Sequence, residues 1–158
     1  LSLCLYFSTL LLNQTDGHWL FLALAAVVAA CDSAAYFVGR SVGGVKLAPF
    51  ISPNKTVSGS VGGIVAAIAV MVGLSSIQAL APITGLRPVT GLDSVVALFL
   101  GCGVAVLAQI GDLLESALKR YFNVKDSGSL LPGHGGLLDR FDGYLFTVPG
   151  FYLFLFAS

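Results

Sequence analysis

The chain has 158 residues, of which 56% are hydrophobic and 10% are charged, and its eight basic and eight acidic residues give a formal net charge of zero. Soluble domains carry about 25% charged residues, so this composition excludes a molecule with a water-facing surface all round. Apolar runs of about 20 residues recur along the chain and predict membrane-spanning helices instead.

Five apolar segments, the first of them short, predict an all-α fold: a polytopic integral membrane helix bundle. The segments cover residues 1–12, 19–38, 58–80, 93–110 and 141–157. We expect a single transmembrane domain over residues 1–158, with polar loops at about 39–57 and 119–140. Because the chain starts with Leu1 and a partial apolar run, we also expect it to be the C-terminal part of a longer membrane protein.

An acidic residue, Asp32, lies inside the second apolar segment. A carboxylate within a span is costly unless it faces protein, water or an ion, so Asp32 is a candidate functional residue. Helical spacing places Tyr36 and Gly39 on the same face as Asp32. The alternative is that Asp32 lies near the membrane interface and is simply solvated.

The loop at 39–57 combines glycines with cations and hydroxyl groups. The cations and hydroxyls of interest are Arg40, Lys46, Ser52, Lys55 and Thr56. Such groups, together with exposed backbone N–H groups, favour phosphate binding, although the spacing of a Walker P-loop is absent. The alternative interpretation is a loop that is basic only because it faces the cytoplasm.

The third apolar segment is rich in small residues, among them Gly59, Gly62, Gly63 and Ala66. Small residues let membrane helices approach closely, so we expect tight packing along this face, which is also compatible with a homodimer. Asp93 is a suitable N-cap for the fourth helix.

The charges are concentrated between residues 111 and 142. Five of the eight acidic and four of the eight basic residues lie there, namely Asp112, Glu115, Asp126, Asp139, Asp142, Lys119, Arg120, Lys125 and Arg140. Helical spacing puts Asp112, Glu115 and Lys119 on one face, and Asp139 and Asp142 repeat the i, i+3 arrangement. Carboxylates facing each other from two helices suit a hard cation such as Mg²⁺, so these faces predict one or two metal ions.

The surroundings of these carboxylates indicate a polyphosphate ligand. Cations next to a carboxylate–metal centre neutralise phosphate charge, and the glycine-rich segment between the two helices supplies backbone donors. His134, beside Gly135 and Gly136, is a candidate phosphate contact or acid–base group. The alternatives are a plain loop histidine and a set of ion pairs that only ties two helices together.

The distribution of basic residues predicts the orientation. If the spans alternate, the loops at 39–57 and 119–140 lie on one side with seven basic residues, whereas Arg87 alone lies opposite. The positive-inside rule then places these loops in the cytoplasm. Cytosolic nucleotides and inner-leaflet lipids are within reach there.

An ordered series of polar motifs covers residues 32–142. The downstream series reads Ser116-x2-Lys119-Arg120-x4-Lys125-Asp126-x-Gly128-x2-Leu131-Pro132-x-His134-Gly135-Gly136-x2-Asp139-Arg140-x-Asp142, and the upstream pieces are Asp32-x3-Tyr36-x2-Gly39-Arg40 and Ser52-Pro53-x-Lys55-Thr56-x2-Gly59. The series resembles the phosphatidate cytidylyltransferases, also called CDP-diacylglycerol synthases. One departure is Ser58, which stands where members of that family commonly have Glu.

The resemblance implies Mg²⁺-dependent transfer of CMP from CTP to phosphatidic acid, which gives CDP-diacylglycerol and pyrophosphate in phospholipid biosynthesis. It implies catalytic roles for Asp112, Lys119, Arg120, His134 and Asp139, and metal ligation by Asp112, Glu115, Asp139 and Asp142. The substrate contacts expected are Asp32, Arg40, Ser52, Lys55, Thr56, Lys125, Asp126, Gly135, Gly136 and Arg140. We expect the protein in a bacterial inner (plasma) membrane, with its active site facing the cytoplasm.

Two other functions fit parts of the pattern. A CTP-dependent polyprenol or lipid kinase would transfer the γ-phosphoryl group and release CDP. An ion-coupled transporter would use Asp32 and Asp112 as intramembrane ion sites. Transport sites lie near the bilayer midplane and come with repeat symmetry, whereas these charges cluster towards one interface and the sequence has no internal repeat, which weighs against transport.

Overall fold

The structure is a computed structural model, and it describes residues 2–14, 16–76, 93–122, 124 and 138–156, with the side chains of 138–142 excepted. These residues form five helices and one antiparallel hairpin. In chain order the elements are α1 (Ser2–Leu12), α2 (Gly17–Val42), β1 (Lys46–Ala48), β2 (Ser52–Thr56), α3 (Val57–Ser76), α4 (Ser94–Tyr121) and α5 (Leu138–Phe156).

Three of the described helices, α2, α3 and α4, are long and apolar enough to cross a membrane, and α1 and the part of α5 from Gly143 to Phe156 are shorter apolar helices. At 1.5 Å per residue, the 26 residues of α2 and the 28 residues of α4 measure roughly 39 and 42 Å. The hydrocarbon core of a bilayer is about 30 Å thick. The predicted all-α membrane helix bundle is confirmed, and α2 and α4 are long enough to project from the hydrocarbon.

The described helices pack in a closed ring in chain order, with α5 returning to α1, and α2 contacts each of the other four. The buried face of α2 includes Leu24, Val27 and Cys31, and α4 contributes Val104 and Ala108. Lipid tails are as apolar as these side chains, so close van der Waals fit rather than water exclusion holds such helices together.

The small residues of α3 provide that fit against α2. A Cβ atom at Gly59 would lie 2.5 Å from the carbonyl oxygen of Ala35, and one at Gly63 would lie 2.9 Å from that of Cys31. Neither position has room for a side chain, so the backbones of α2 and α3 are in direct contact. The tight packing predicted for this face is confirmed, and its partner is a helix of the same chain.

The segment predicted as a loop at 39–57 is more ordered than expected. Helix α2 continues through Val42, so Gly39 and Arg40 are helical. Gly43 and Gly44 then adopt φ values of +64° and +103°, which residues with a Cβ rarely adopt. They end the helix and turn the chain into the hairpin, which the sequence did not predict because its strands are too short to show an alternating pattern.

The last helix also begins earlier than predicted. Helix α5 starts at Leu138 rather than at residue 141, so Asp139 and Arg140 lie in its first turn and not in the preceding loop. Asp93 occupies the N-cap position of α4, as predicted, although its side chain makes no capping hydrogen bond.

Candidate active site

A cavity of about 780 Å³ opens where α2 and α4 end and α3 begins, beside the hairpin. Among the described residues, its charged lining is Asp32, Arg40, Lys46, Lys55 and Asp112. Each of these residues is a candidate functional residue in the sequence, although they lie in separate segments of it. Three cations and two carboxylates therefore share one cavity at one end of the bundle.

An ion pair joins the hairpin to α4 across this cavity. The Lys55 ammonium contacts the Asp112 carboxylate, and the two side chains are 26% and 38% exposed. Ser116, one turn further along α4, donates a hydrogen bond of 3.4 Å to the same carboxylate. Lys55 thus neutralises Asp112 and remains accessible from the cavity.

The first turn of α3 forms another wall. The Thr56 side chain is 5% exposed, and its Oγ1 accepts a hydrogen bond of 3.1 Å from the backbone N–H of Gly59. This is an N-cap, which fixes the start of the helix. Thr56, Gly59 and Ser60 all line the cavity, so the positive end of the α3 dipole faces it and favours an anion.

Ser58, the position that departs from the family pattern, stabilises the start of α3. Its hydroxyl donates to the carbonyl oxygen of Gly43 and lies 3.1 Å from Thr56 Oγ1. The side chain therefore links the start of α3 to the turn that ends α2. Its contacts are structural, and Ser58 is not among the described residues that line the cavity.

The predicted shared face of α2 is confirmed. Asp32, Tyr36 and Gly39 all line the cavity, and the guanidinium of Arg40 donates a hydrogen bond of 2.8 Å to the Tyr36 hydroxyl. A side chain at Gly39 would approach within 2.8 Å of Thr56 Oγ1. Glycine at this position therefore lets Thr56, the N-cap residue of α3, pack against α2.

Sequence reasoning missed Gln109, which lies on α4 at the cavity wall. Its Oε1 accepts a hydrogen bond from the Ser60 hydroxyl, and its Nε2 donates to the Ser60 carbonyl at 3.1 Å and to Cys31 Sγ at 3.7 Å. One amide thus connects α4 with α3 and α2. The available signal was an amide inside an apolar run, since polar side chains in spans usually bond across helices.

The acidic face predicted on α4 is divided in the structure. Asp112 lines the cavity, whereas the described lining residues do not include Glu115 or Lys119. Glu115 is 6% exposed and pairs with Lys119 at 2.6 Å within the same helix. Arg120 Nε donates a 3.3 Å hydrogen bond to the Ile51 carbonyl of the hairpin turn, so its described contact supports the hairpin.

The Mg²⁺ site stays a prediction. Among the described residues no group of three or more His, Cys, Asp or Glu side chains is placed to hold a metal ion. Asp32 and Asp112 do line one cavity, and carboxylate oxygens are the donors that Mg²⁺ takes in proteins. The backbones of Asp139 and Asp142 lie in the first two turns of α5, but their side chains and that of Arg140 are outside the described part.

Five further predicted residues lie outside the described residues altogether. They are Lys125, Asp126, His134, Gly135 and Gly136. Their assignments stay predictions.

Comparison with known proteins places this geometry in context. A family model described as the cytidylyltransferase family matches residues 1–158. The phosphatidate cytidylyltransferase of Bacillus subtilis (strain 168) is 46% identical over 144 residues, which are 91% of this chain and 49% of that protein. Those of Brucella suis and Staphylococcus haemolyticus are 46% and 40% identical, over 90% and 87% of this chain and 48% and 49% of theirs. The chain thus spans about half the length of these curated relatives.

Proposed function

The chain belongs to the cytidylyltransferase family, and on that premise we propose that it transfers CMP from CTP to phosphatidic acid, giving CDP-diacylglycerol and pyrophosphate. The observation that carries the proposal is the cavity at the end of the bundle. It joins three cations, the N-terminus of α3 and two carboxylates within a membrane protein. A lipid phosphate and a nucleotide polyphosphate both need such a site.

The proposed reaction depends on the positioning of its two substrates more than on a strong base. The phosphate of phosphatidic acid is already an anionic nucleophile, and one of its oxygens forms a bond to the α-phosphorus of CTP. The bond from that phosphorus to the bridging oxygen of the β-phosphate breaks, and pyrophosphate leaves with the electron pair. Alignment and charge neutralisation of the reacting groups therefore set the rate.

The cavity residues are suited to these tasks. Lys55, Arg40 and Lys46 oppose phosphate charge, and the positive end of the α3 dipole adds to this attraction. Asp32 and Asp112 are the described candidates to hold Mg²⁺, with Asp139 and Asp142 as the proposed further ligands. When bound, Mg²⁺ neutralises part of the polyphosphate charge and orients it for in-line displacement.

The proposed orientation places the cavity on the cytoplasmic face of a bacterial inner membrane. Five of the predicted cytoplasmic cations, Arg40, Lys46, Lys55, Lys119 and Arg120, lie on the described elements at this end of the bundle. Accumulation of basic residues on one side supports that orientation.

A homodimer stays a prediction. Gly59 and Gly63, which suggested it, contact α2 within the chain. Contact of a second copy with α3 would involve other residues of that helix, such as the exposed Val61 and Val65.

The test is turnover by the full-length protein in detergent micelles with labelled CTP, phosphatidic acid and Mg²⁺. CDP-diacylglycerol and pyrophosphate are the expected products. Release of CDP with a newly phosphorylated lipid alcohol would show a kinase instead, and the absence of any CTP consumption would refute the proposal.

The site assignments have their own test. Asp112→Ala and Asp139→Ala should abolish turnover while the protein remains folded. Asp16→Ala is the matched control, because Asp16 precedes α2 and its side chain makes no capping hydrogen bond. Activity near that of the control in either variant would remove that residue from the site.

A further inference from the structure

The hairpin between α2 and α3 carries an apolar side chain at its tip. Phe50 lies in the turn between β1 and β2, and 96% of its surface is exposed. Phenylalanine is among the residues most often buried in proteins. Phe50 lies outside the described helices. Its exposure is therefore not explained by a position on the lipid-facing side of a membrane-spanning helix.

A second group of exposed aromatic residues lies next to the tip. Arg120 Nε donates to the backbone carbonyl of Ile51, the residue that follows Phe50, at 3.3 Å. The two residues after Arg120, Tyr121 and Phe122, are 79% and 67% exposed, with ring centroids 5.2 Å apart. The tip of the hairpin and the end of α4 therefore meet at Arg120, and we call the exposed aromatic residues on the two sides of this contact the interfacial patch: Phe50, Tyr121 and Phe122.

The length and charge of α4 favour a position of the interfacial patch at the membrane surface. Helix α4 has 28 residues and a length of roughly 42 Å, which exceeds a hydrocarbon core about 30 Å thick. Its charged residues Asp112, Glu115, Lys119 and Arg120 lie towards its last turns, so this is the end expected to reach the head-group layer. Aromatic side chains concentrate in the layer just outside that core. Exposed apolar patches of this kind mark membrane contacts or other binding surfaces.

A basic group joins the two halves of the patch. Arg120 contacts the hairpin turn at Ile51, whereas Lys46 is at the base of the hairpin, where it pairs with Thr56 and lines the cavity. Lys and Arg beside a membrane surface attract anionic lipid head groups. Aromatic side chains beside a cation fit the boundary between head groups and acyl chains of an anionic bilayer.

We propose that the interfacial patch seats the hairpin in the bilayer, with Phe50 inserted among the lipid chains and Arg120 against lipid phosphates. The two strands of this hairpin also supply Lys46, Ser52 and Lys55 to the cavity wall. Seating the tip in the membrane therefore holds the cavity mouth at head-group level. The proposal concerns membrane contact and stands whatever reaction the cavity performs.

The chain contains a single tryptophan, Trp19, which makes a fluorescence test direct. The double variant Trp19→Phe, Phe50→Trp is made in the full-length protein, with any tryptophan outside these 158 residues also replaced by Phe, so that the hairpin tip carries the only indole in anionic phospholipid vesicles. We expect its emission at shorter wavelength than that of a water-exposed indole. Lipids brominated near the head-group end of their acyl chains should quench most of it.

The matched control is Trp19→Phe, Asn54→Trp. Asn54 is exposed on the second strand of the same hairpin and lines the cavity, so its indole should emit at long wavelength and resist the brominated lipids. Trp19→Phe, Tyr121→Trp probes the other half of the patch and replaces the tip variant if that variant does not fold. An indole in the patch that emits like the control would overturn the proposal.

Two further outcomes decide the occupant of the patch. Short-wavelength emission without quenching by brominated lipid would mean that protein covers the patch, which also overturns the proposal. In the positive case, a brominated anionic lipid should quench more strongly than a brominated zwitterionic lipid at the same mole fraction. Arg120→Gln should reduce that preference about fivefold, as expected for one basic side chain at a membrane surface, and an unchanged preference would refute the role of Arg120.

Discussion

Replacing Gln109 with Leu removes the amide that joins α4 to α3 and α2 at the cavity wall. The amide makes two hydrogen bonds to Ser60 and a weaker one to Cys31 Sγ. Hydrogen bonds between membrane helices contribute about 0.6 kcal/mol on average and about 1.7 kcal/mol at most. Because Leu has nearly the volume of Gln, we expect the variant to lose about 1–2 kcal/mol of unfolding free energy and little packing.

A double-mutant cycle with Ser60→Ala isolates the contact. Ser60→Ala removes the hydroxyl that donates to Gln109 and should cost about 0.6 kcal/mol or more by itself. It should cost almost nothing in the Gln109→Leu background, because its partner is already gone. The coupling energy is therefore expected between about 0.6 and 1.7 kcal/mol, measured by reversible unfolding in mixed micelles.

Thr147→Val is the matched control for this cycle. Thr147 is a buried polar residue whose hydroxyl bonds within its own helix, to the Gly143 carbonyl at 2.9 Å, and α5 makes no contact with α3 among the described residues. Thr147→Val and Ser60→Ala should therefore be additive to within about 0.5 kcal/mol. A coupling between Gln109 and Ser60 no larger than that of the control pair would refute the assignment.

Three other predictions follow from the packing and the cavity. Gly59→Ala should cost about 1–3 kcal/mol of stability, because the added methyl group meets the Ala35 carbonyl. In the control variant Gly73→Ala the methyl group enters open space and should not lower the midpoint of thermal unfolding. Equal effects of the two substitutions would contradict the close approach of α2 and α3 at Gly59. Lys55→Met removes the ion-pair partner of Asp112 and the proposed phosphate contact, so kcat/KM for CTP should fall on the order of 10²-fold with folding preserved. Wild-type kinetics would argue against that role. Chelation with EDTA should abolish turnover and added Mg²⁺ should restore it, whereas turnover that survives chelation would exclude the metal.

Much of the architecture could be predicted from composition and spacing. Apolar length fixes which segments are able to span a bilayer, and small residues at helical spacing mark the face of α3 that packs closely. The hairpin and the helical state of Arg40 could not be predicted in this way. Short strands show no periodicity, and a polar helix end that leaves the membrane resembles a loop in sequence.

Only part of the cavity could be predicted. Helical spacing shows which residues share a face of one helix, but it does not show which residues of other elements pack against that face. The pattern put Asp112, Glu115 and Lys119 on one face of α4. Packing then divided them: Asp112 meets Lys55 of the hairpin, while Glu115 is buried and pairs with Lys119. No local feature of the sequence indicated that division.

The sequence by itself determined that this is a membrane helix bundle and, through its ordered motifs, which family it belongs to. Tertiary structure alone decided that Asp32, Lys55 and Asp112 share a cavity and that Gln109 connects three helices beside it. The physical reason is the direct backbone contact of α2 with α3 at Gly59 and Gly63. That contact sets how the helices are rotated against each other, and rotation decides which side chains meet.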